Sequence, residues 1–141
     1  MQLDDDLLRA IGNLALVFAA LDLSLAHVLS ETSSGKIDFS KACEMSLGRK
    51  LDRIDSLQNN APVQEIPTAR IRELSHARND IMHGMVFVFA ACEKIDSFTI
   101  WNPAHNHARQ VSTDEVDKIA AETQTIMIGI DVQAAIRAMR L

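Results

Sequence analysis

The run Ala77-Arg78-Asn79-Asp80-Ile81-Met82-His83-Gly84 places an arginine and a histidine five residues apart near the end of a helical pattern. At about 100° per residue, Asn79 and His83 stack one turn apart on a single helix face, while Arg78 sits one step round and reaches across with its long stem. A histidine exchanges protons near neutral pH, an arginine holds a phosphoryl oxygen bidentately, and an asparagine orients either one. Those are the needs of metal-free RNA cleavage. There the ribose 2′-hydroxyl attacks the adjacent phosphorus, so the protein supplies acid–base groups and charge stabilisation rather than a nucleophile. A single histidine is too few, unless a dimer brings two.

Arg70, Arg72 and His76 precede Arg78 along the same helical pattern and form a candidate basic track for binding substrate phosphates. The competing reading of Arg70 and Arg72 is a solvated helix face. For Arg78 and His83 it is a helix C-terminus, with His83 meeting the dipole and Arg78 paired to Asp80 or another acid. His105-Asn106-His107 has no Cys or carboxylate ligands nearby and falls short of a zinc set, so neither a metal nor a cofactor is expected. Cys43 and Cys92, far apart and outside any C-x-x-C spacing, read as buried small hydrophobes. His27, Met45, Met82, Met85, Met127 and Met139 read as packing, and Trp101 as an aromatic closing a hairpin against the core or a dimer partner.

These residues need elements to position them. From Asp4 to about Ser30 the apolar residues recur at three and four, and Asp4, Asp5 and Asp6 suit the positive start of a helix. Glu31 to Lys36 is turn-rich. A second helix with Ser40 as N-cap carries Ala42, Cys43, Leu47, Leu51, Ile54 and Leu57 inward and Arg49, Lys50 and Arg53 outward. Pro67 and Thr68 open a third, which holds the Arg78–His83 run and stops at Gly84. Met85–Phe89 and Ser97–Trp101 are β-branched and aromatic runs around Cys92-Glu93-Lys94 and read as a β-hairpin. After an irregular stretch, Asn102 to Gln110, Ser112 and Glu115 form a capping box for a last helix from about Thr113 towards Arg140, with Gly129 as a point of bending.

The expected fold class is therefore mostly α: one domain over 1–141, an antiparallel four-helix bundle with a hairpin, about 85–101, inserted between the third and fourth helices. At 141 residues and 48% apolar composition the chain can bury a sizeable core. Leu14–Leu29 is interrupted by Asp22, Ser24 and His27 and Met85–Cys92 is short, so no membrane-crossing segment is expected. The acidic start lacks the pattern of a signal peptide, and the expected location is the cytoplasm. A net charge of −5 opposes general attraction to polyanions, so any nucleic-acid contact must be local.

The run from Arg78 to His83, with polar Asn79 directly after the arginine, resembles the R-x-x-x-x-H signature of the HEPN superfamily of helical bundles. The order of a long first helix, a second helix and the motif near the end of a later one is similar too. The resemblance implies a homodimer whose motif helices face each other, with paired Arg78 and His83 forming a composite ribonuclease site. RNA would be the substrate, in a toxin or defence setting with an antitoxin or other protein partner. The hairpin and residues 102–110 extend the chain beyond a plain bundle. Two alternatives stay open: a catalytically silent HEPN-like module binding RNA, a nucleotide or a protein through the same groove, and a purely structural helical dimer.

Overall fold

The computed structural model describes residues 4–60, 65–83, 85–87, 97–102 and 107–140. Its longest helix, α1 (Asp5–Thr32), starts at Asp4, whose carboxylate accepts a hydrogen bond from the Asp6 backbone N–H at 3.1 Å. Leu7, Leu14, Leu21, Leu25 and Leu29 recur at helical spacing and are fully buried. Over an 18-residue window α1 has a mean hydropathy of 1.7, so by length and composition it also meets the requirement for crossing a bilayer; 44% of that window lies inside the fold. Ser34 (φ 53°) and Gly35 (φ 79°) then turn the chain in the left-handed region.

The second expected helix is two helices, α2 (Phe39–Glu44) and α3 (Leu47–Asn60). Two caps within nine residues explain the break. Asp38, not Ser40, caps α2 by accepting from the Lys41 N–H at 2.7 Å, and the Ser46 hydroxyl caps α3 by accepting from the Arg49 N–H at 3.3 Å. Met45 between them is extended (φ −72°, ψ 142°). α2 buries Ala42 alone, so Cys43 points outward, contrary to expectation; Cys92 lies outside the described residues. Lys50, expected outward, has no exposed surface.

α4 (Thr68–His83) opens after Pro67 and buries Ile71, Leu74 and Ile81. Gly84 lies outside the described residues. Three short strands follow, β1 (Met85–Phe87), β2 (Ser97–Asn102) and β3 (His107–Ser112), antiparallel in the order β1-β2-β3, with Met85 opposite Trp101 and Asn102 opposite His107. β3 occupies part of the stretch expected to be irregular, and fully buried Val111 ties it to the core. The expected turn at Cys92-Glu93-Lys94 and the residues His105 and Asn106 lie outside the described residues.

α5 (Thr113–Met139) is one continuous helix across Gly129. Ser112 caps it by accepting from the Glu115 N–H at 3.2 Å, while the Glu115 carboxylate pairs with Arg109 of β3 instead of closing the capping box. Arg9 at the start of α1 meets Asp117 near the start of α5, and Glu31 at the end of α1 meets Arg137 near the end of α5. The two helices thus run in the same direction, and the bundle is not antiparallel throughout. Met139, 79% exposed, and His27, which stacks on Phe39 at 4.3 Å on the surface, do not pack in the core.

Because α1 is buried by α5, α2 and α3 together, its central leucines have little room to collapse around a cavity. Leu21→Ala is expected to lower unfolding stability by about 3–5 kcal/mol, read from urea denaturation. Loss of less than about 1 kcal/mol would contradict the burial of Leu21.

Candidate functional site

α4 packs on α3, α5 and β2, and approaches α1 at Arg78, whose guanidinium carbon lies 5.9 Å from the centre of the Phe18 ring. Between α1, the α2–α3 junction and α4 lies a groove of about 680 Å³. α1 contributes Ala15, Phe18, Ala19 and Asp22 to it, the junction Met45 to Gly48 with Leu51 and Asp52, and α4 Arg72, Ser75, His76, Arg78 and Asn79. The pattern on α4 follows from helical geometry. Arg72, Ser75, His76 and Asn79 fall at i, i+3, i+4 and i+7 and face the groove, while Ile71, Leu74 and Ile81 turn into the core. Arg78 falls between the two rows and is half-buried.

The three arginines and two histidines of α4 are held in different ways. Arg70 donates from Nε and Nη2 to Glu122 at 2.6 and 2.7 Å and from Nη1 to Glu73 at 2.6 Å, outside the groove wall. The hydrogen bonds from Arg70 hold the Glu122 carboxyl below its ordinary range, and those to Glu122 and Glu73 keep the guanidinium charged still more firmly. Arg72 lines the groove, yet its Nη2 lies 2.8 Å from both Asp52 and Asp55. Arg78 instead donates from Nη1 to the neutral Asn79 amide at 2.9 Å and covers Phe18; its Nε is buried with no hydrogen-bond partner. His76 lines the groove with an exposed side chain. His83 is exposed at the last residue of α4 and does not line the groove.

The structure therefore brings Arg78, Asn79, His76 and Arg72 to one cavity and leaves Arg70 and His83 outside its wall. Among the described residues no group of three or more His, Cys, Asp or Glu side chains is placed to hold a metal ion.

Asp22 of the groove lining is backed by a lysine expected to face outward. Lys50, fully buried in the first turn of α3, sets its Nζ 2.7 Å from Asp22 Oδ2. The contact is a charge pair rather than a well-directed hydrogen bond, and Asp22 Oδ1 is shielded without a hydrogen-bond partner. The signal for this pair was present. Lys50 falls three after Leu47 and four before Ile54, on the inward row of its helix, and Asp22 is an acid within an otherwise apolar run.

Comparison of the chain with protein-family models, with curated proteins and with solved structures returns no match.

Removing one partner of a pair in which one charge is buried costs more than replacing that charge with an apolar side chain. Asp22→Ala should cost about 3 kcal/mol of unfolding stability, and Lys50→Met distinctly less. Equal costs in urea denaturation would show that the pair does not strand a buried charge. The Glu122 shift has its own signature. A carboxyl held below its unfolded value contributes stability that is complete above the unfolded value, about 4.3 for Glu, and is lost as pH falls through the lower folded value. The stability advantage of wild type over Glu122→Gln should accordingly be constant near neutral pH and shrink below about pH 4.3. A flat difference down to acid unfolding would contradict it.

Proposed function

We propose that this chain is a HEPN-like helical bundle, with the three strands as an embellishment between α4 and α5, that works as a cytoplasmic homodimer and cleaves RNA without a metal in a toxin or defence setting. The observation that carries the reading is the state of Arg78. Arg70 and Arg72 are each held by two carboxylates, whereas Arg78 is held by a neutral amide and an aromatic ring and keeps its charge for an incoming anion. Asn79 fixes the guanidinium, and His83, one turn beyond Asn79, is exposed to a second molecule. On α1, Leu16 (72% exposed) and Leu23 (49%) flank the groove-lining residues and offer apolar surface for a second copy.

In the dimer, one His83 imidazole takes the proton of the ribose 2′-hydroxyl as its oxygen attacks phosphorus. The other His83, protonated, gives its proton to the departing 5′-oxygen, leaving a 2′,3′-cyclic phosphate and a free 5′-hydroxyl. Arg78 from each copy stabilises the charge that builds on the phosphoryl oxygens. An antitoxin or other protein partner would act by covering this face. The position of His83 outside the groove wall favours a second reading, a silent module that binds RNA, a nucleotide or a protein at Arg78.

The two readings separate on incubation of purified protein with total or transfer RNA in EDTA, wild type beside Arg78→Ala and His83→Ala. Cleavage is expected to fall at least 100-fold in either variant with the fold retained. An inert wild type, or variants that cut equally well, would overturn the nuclease reading and leave the binding module.

A further inference from the structure

We propose that the groove beside Arg78 is the subsite for a guanine base of the bound RNA and that Asp22 is the residue that reads it. The inference takes from the reading above only the placement of a phosphate at Arg78. With the phosphate there, a neighbouring nucleotide has the groove on one side and the outside of the bundle, where His83 lies, on the other. Asp22 stands one helical turn beyond Phe18. Of the two arginines in the lining, Arg72 is held by Asp52 and Asp55, so the phosphate stays at Arg78 and the base reaches along the groove towards Asp22.

The walls suit a flat ring. Ala15 and Ala19 present small side chains from α1, Met45 and Leu51 are apolar, and a Cβ added at Gly48 would meet nothing within 4 Å. Polar side chains share the lining, but Arg72 and Asp52 answer each other, whereas the Asp22 carboxylate keeps an oxygen without a hydrogen-bond partner. A carboxylate accepts hydrogen bonds and donates none while ionised. Guanine offers two adjacent donors, N1–H and N2–H, on its pairing edge, whereas the edges of adenine, cytosine and uracil each set an acceptor beside their donor. Buried Lys50 holds Asp22 Oδ2, and Oδ1 has no hydrogen-bond partner. Oδ1 is shielded in the unliganded chain; the carboxylate torsion is soft, and rotation about it on binding would bring Oδ1 to the groove, where a guanine donor supplies what it lacks.

The test is titration of the purified chain with 3′-GMP, 3′-AMP, 3′-CMP and 3′-UMP by calorimetry. Two donors on one carboxylate should favour 3′-GMP by about tenfold or more. Asp22→Asn, which turns one acceptor into a donor, and Ala19→Leu, which fills the groove from an exposed position, should each abolish the preference; a retained unfolding transition confirms the fold. Arg78→Ala should weaken all four nucleotides alike. Equal binding of the four, binding of none, or a 3′-GMP preference that survives Ala19→Leu overturns the proposal. A chain that binds 3′-GMP selectively but leaves RNA intact keeps this inference and loses the nuclease reading. A chain that cuts RNA with no guanine preference does the reverse.

Discussion

The buried ammonium of Lys50 constrains how the helices around it sit. A lysine without exposed surface is costly unless an opposite charge lies beside it, and the acid that meets it is Asp22, in the middle of the most apolar helix. That one contact sets where α3 lies along α1. α4 is then registered on α3 by charges of its own, Arg72 on Asp52 and Asp55, with the Thr68 hydroxyl on Asp55 as well. Two linked registers deliver Arg78 over Phe18, one turn along α1 from Asp22. The groove is the space those registers leave, so the pair that sets the register also shapes the candidate site.

Apolar burial supplies the stability that the charges only direct. The pairs Arg9–Asp117 and Glu31–Arg137 tie the ends of α1 and α5 but are largely exposed, and such pairs contribute little each. The leucines of α1, with Val116, Ala120 and Ile130 of α5, form the cluster that excludes water. Since α1 and α5 run in the same direction, their connection must return along the bundle. Val111 of β3 in the core and Arg109 against Glu115 show how the strands are fastened where α5 begins.

Much of the helical framework was legible in the sequence because periodicity reports burial. α1, α4 and α5 begin and end near where their apolar stripes and caps place them. The break between α2 and α3 was missed because the apolar period continues across it, while the decision rests on Asp38 and Ser46 satisfying backbone N–H groups locally. Lys50 shows the limit of charge as a guide to exposure: its helix position is inward, and the Asp22 that pairs with it lies on another helix. Helix direction was not legible at all, since the parallel course of α1 and α5 depends on contacts more than a hundred residues apart. At the candidate site, spacing put Arg78, Asn79 and His76 on one helix but said nothing of their partners. Only the folded chain separates Arg78 from Arg70 and Arg72, whose charges are already answered by carboxylates.

That separation bears on the kind of recognition proposed for the chain. A surface that binds nucleic acid chiefly through phosphates needs many unanswered cations, and the counterions they release make its affinity fall steeply with salt. Here the net charge is −5, and two of the three arginines of α4 are neutralised by neighbours. Few phosphates can be held, and the long-range field opposes a polyanion. On the proposed reading, binding would draw on short-range contacts in the groove beside Arg78, whose lining mixes apolar side chains with polar ones. A surface whose net charge repels polyanions would discriminate between such ligands better than it attracts them, because steering is lost to the field while hydrogen bonds and shape are not.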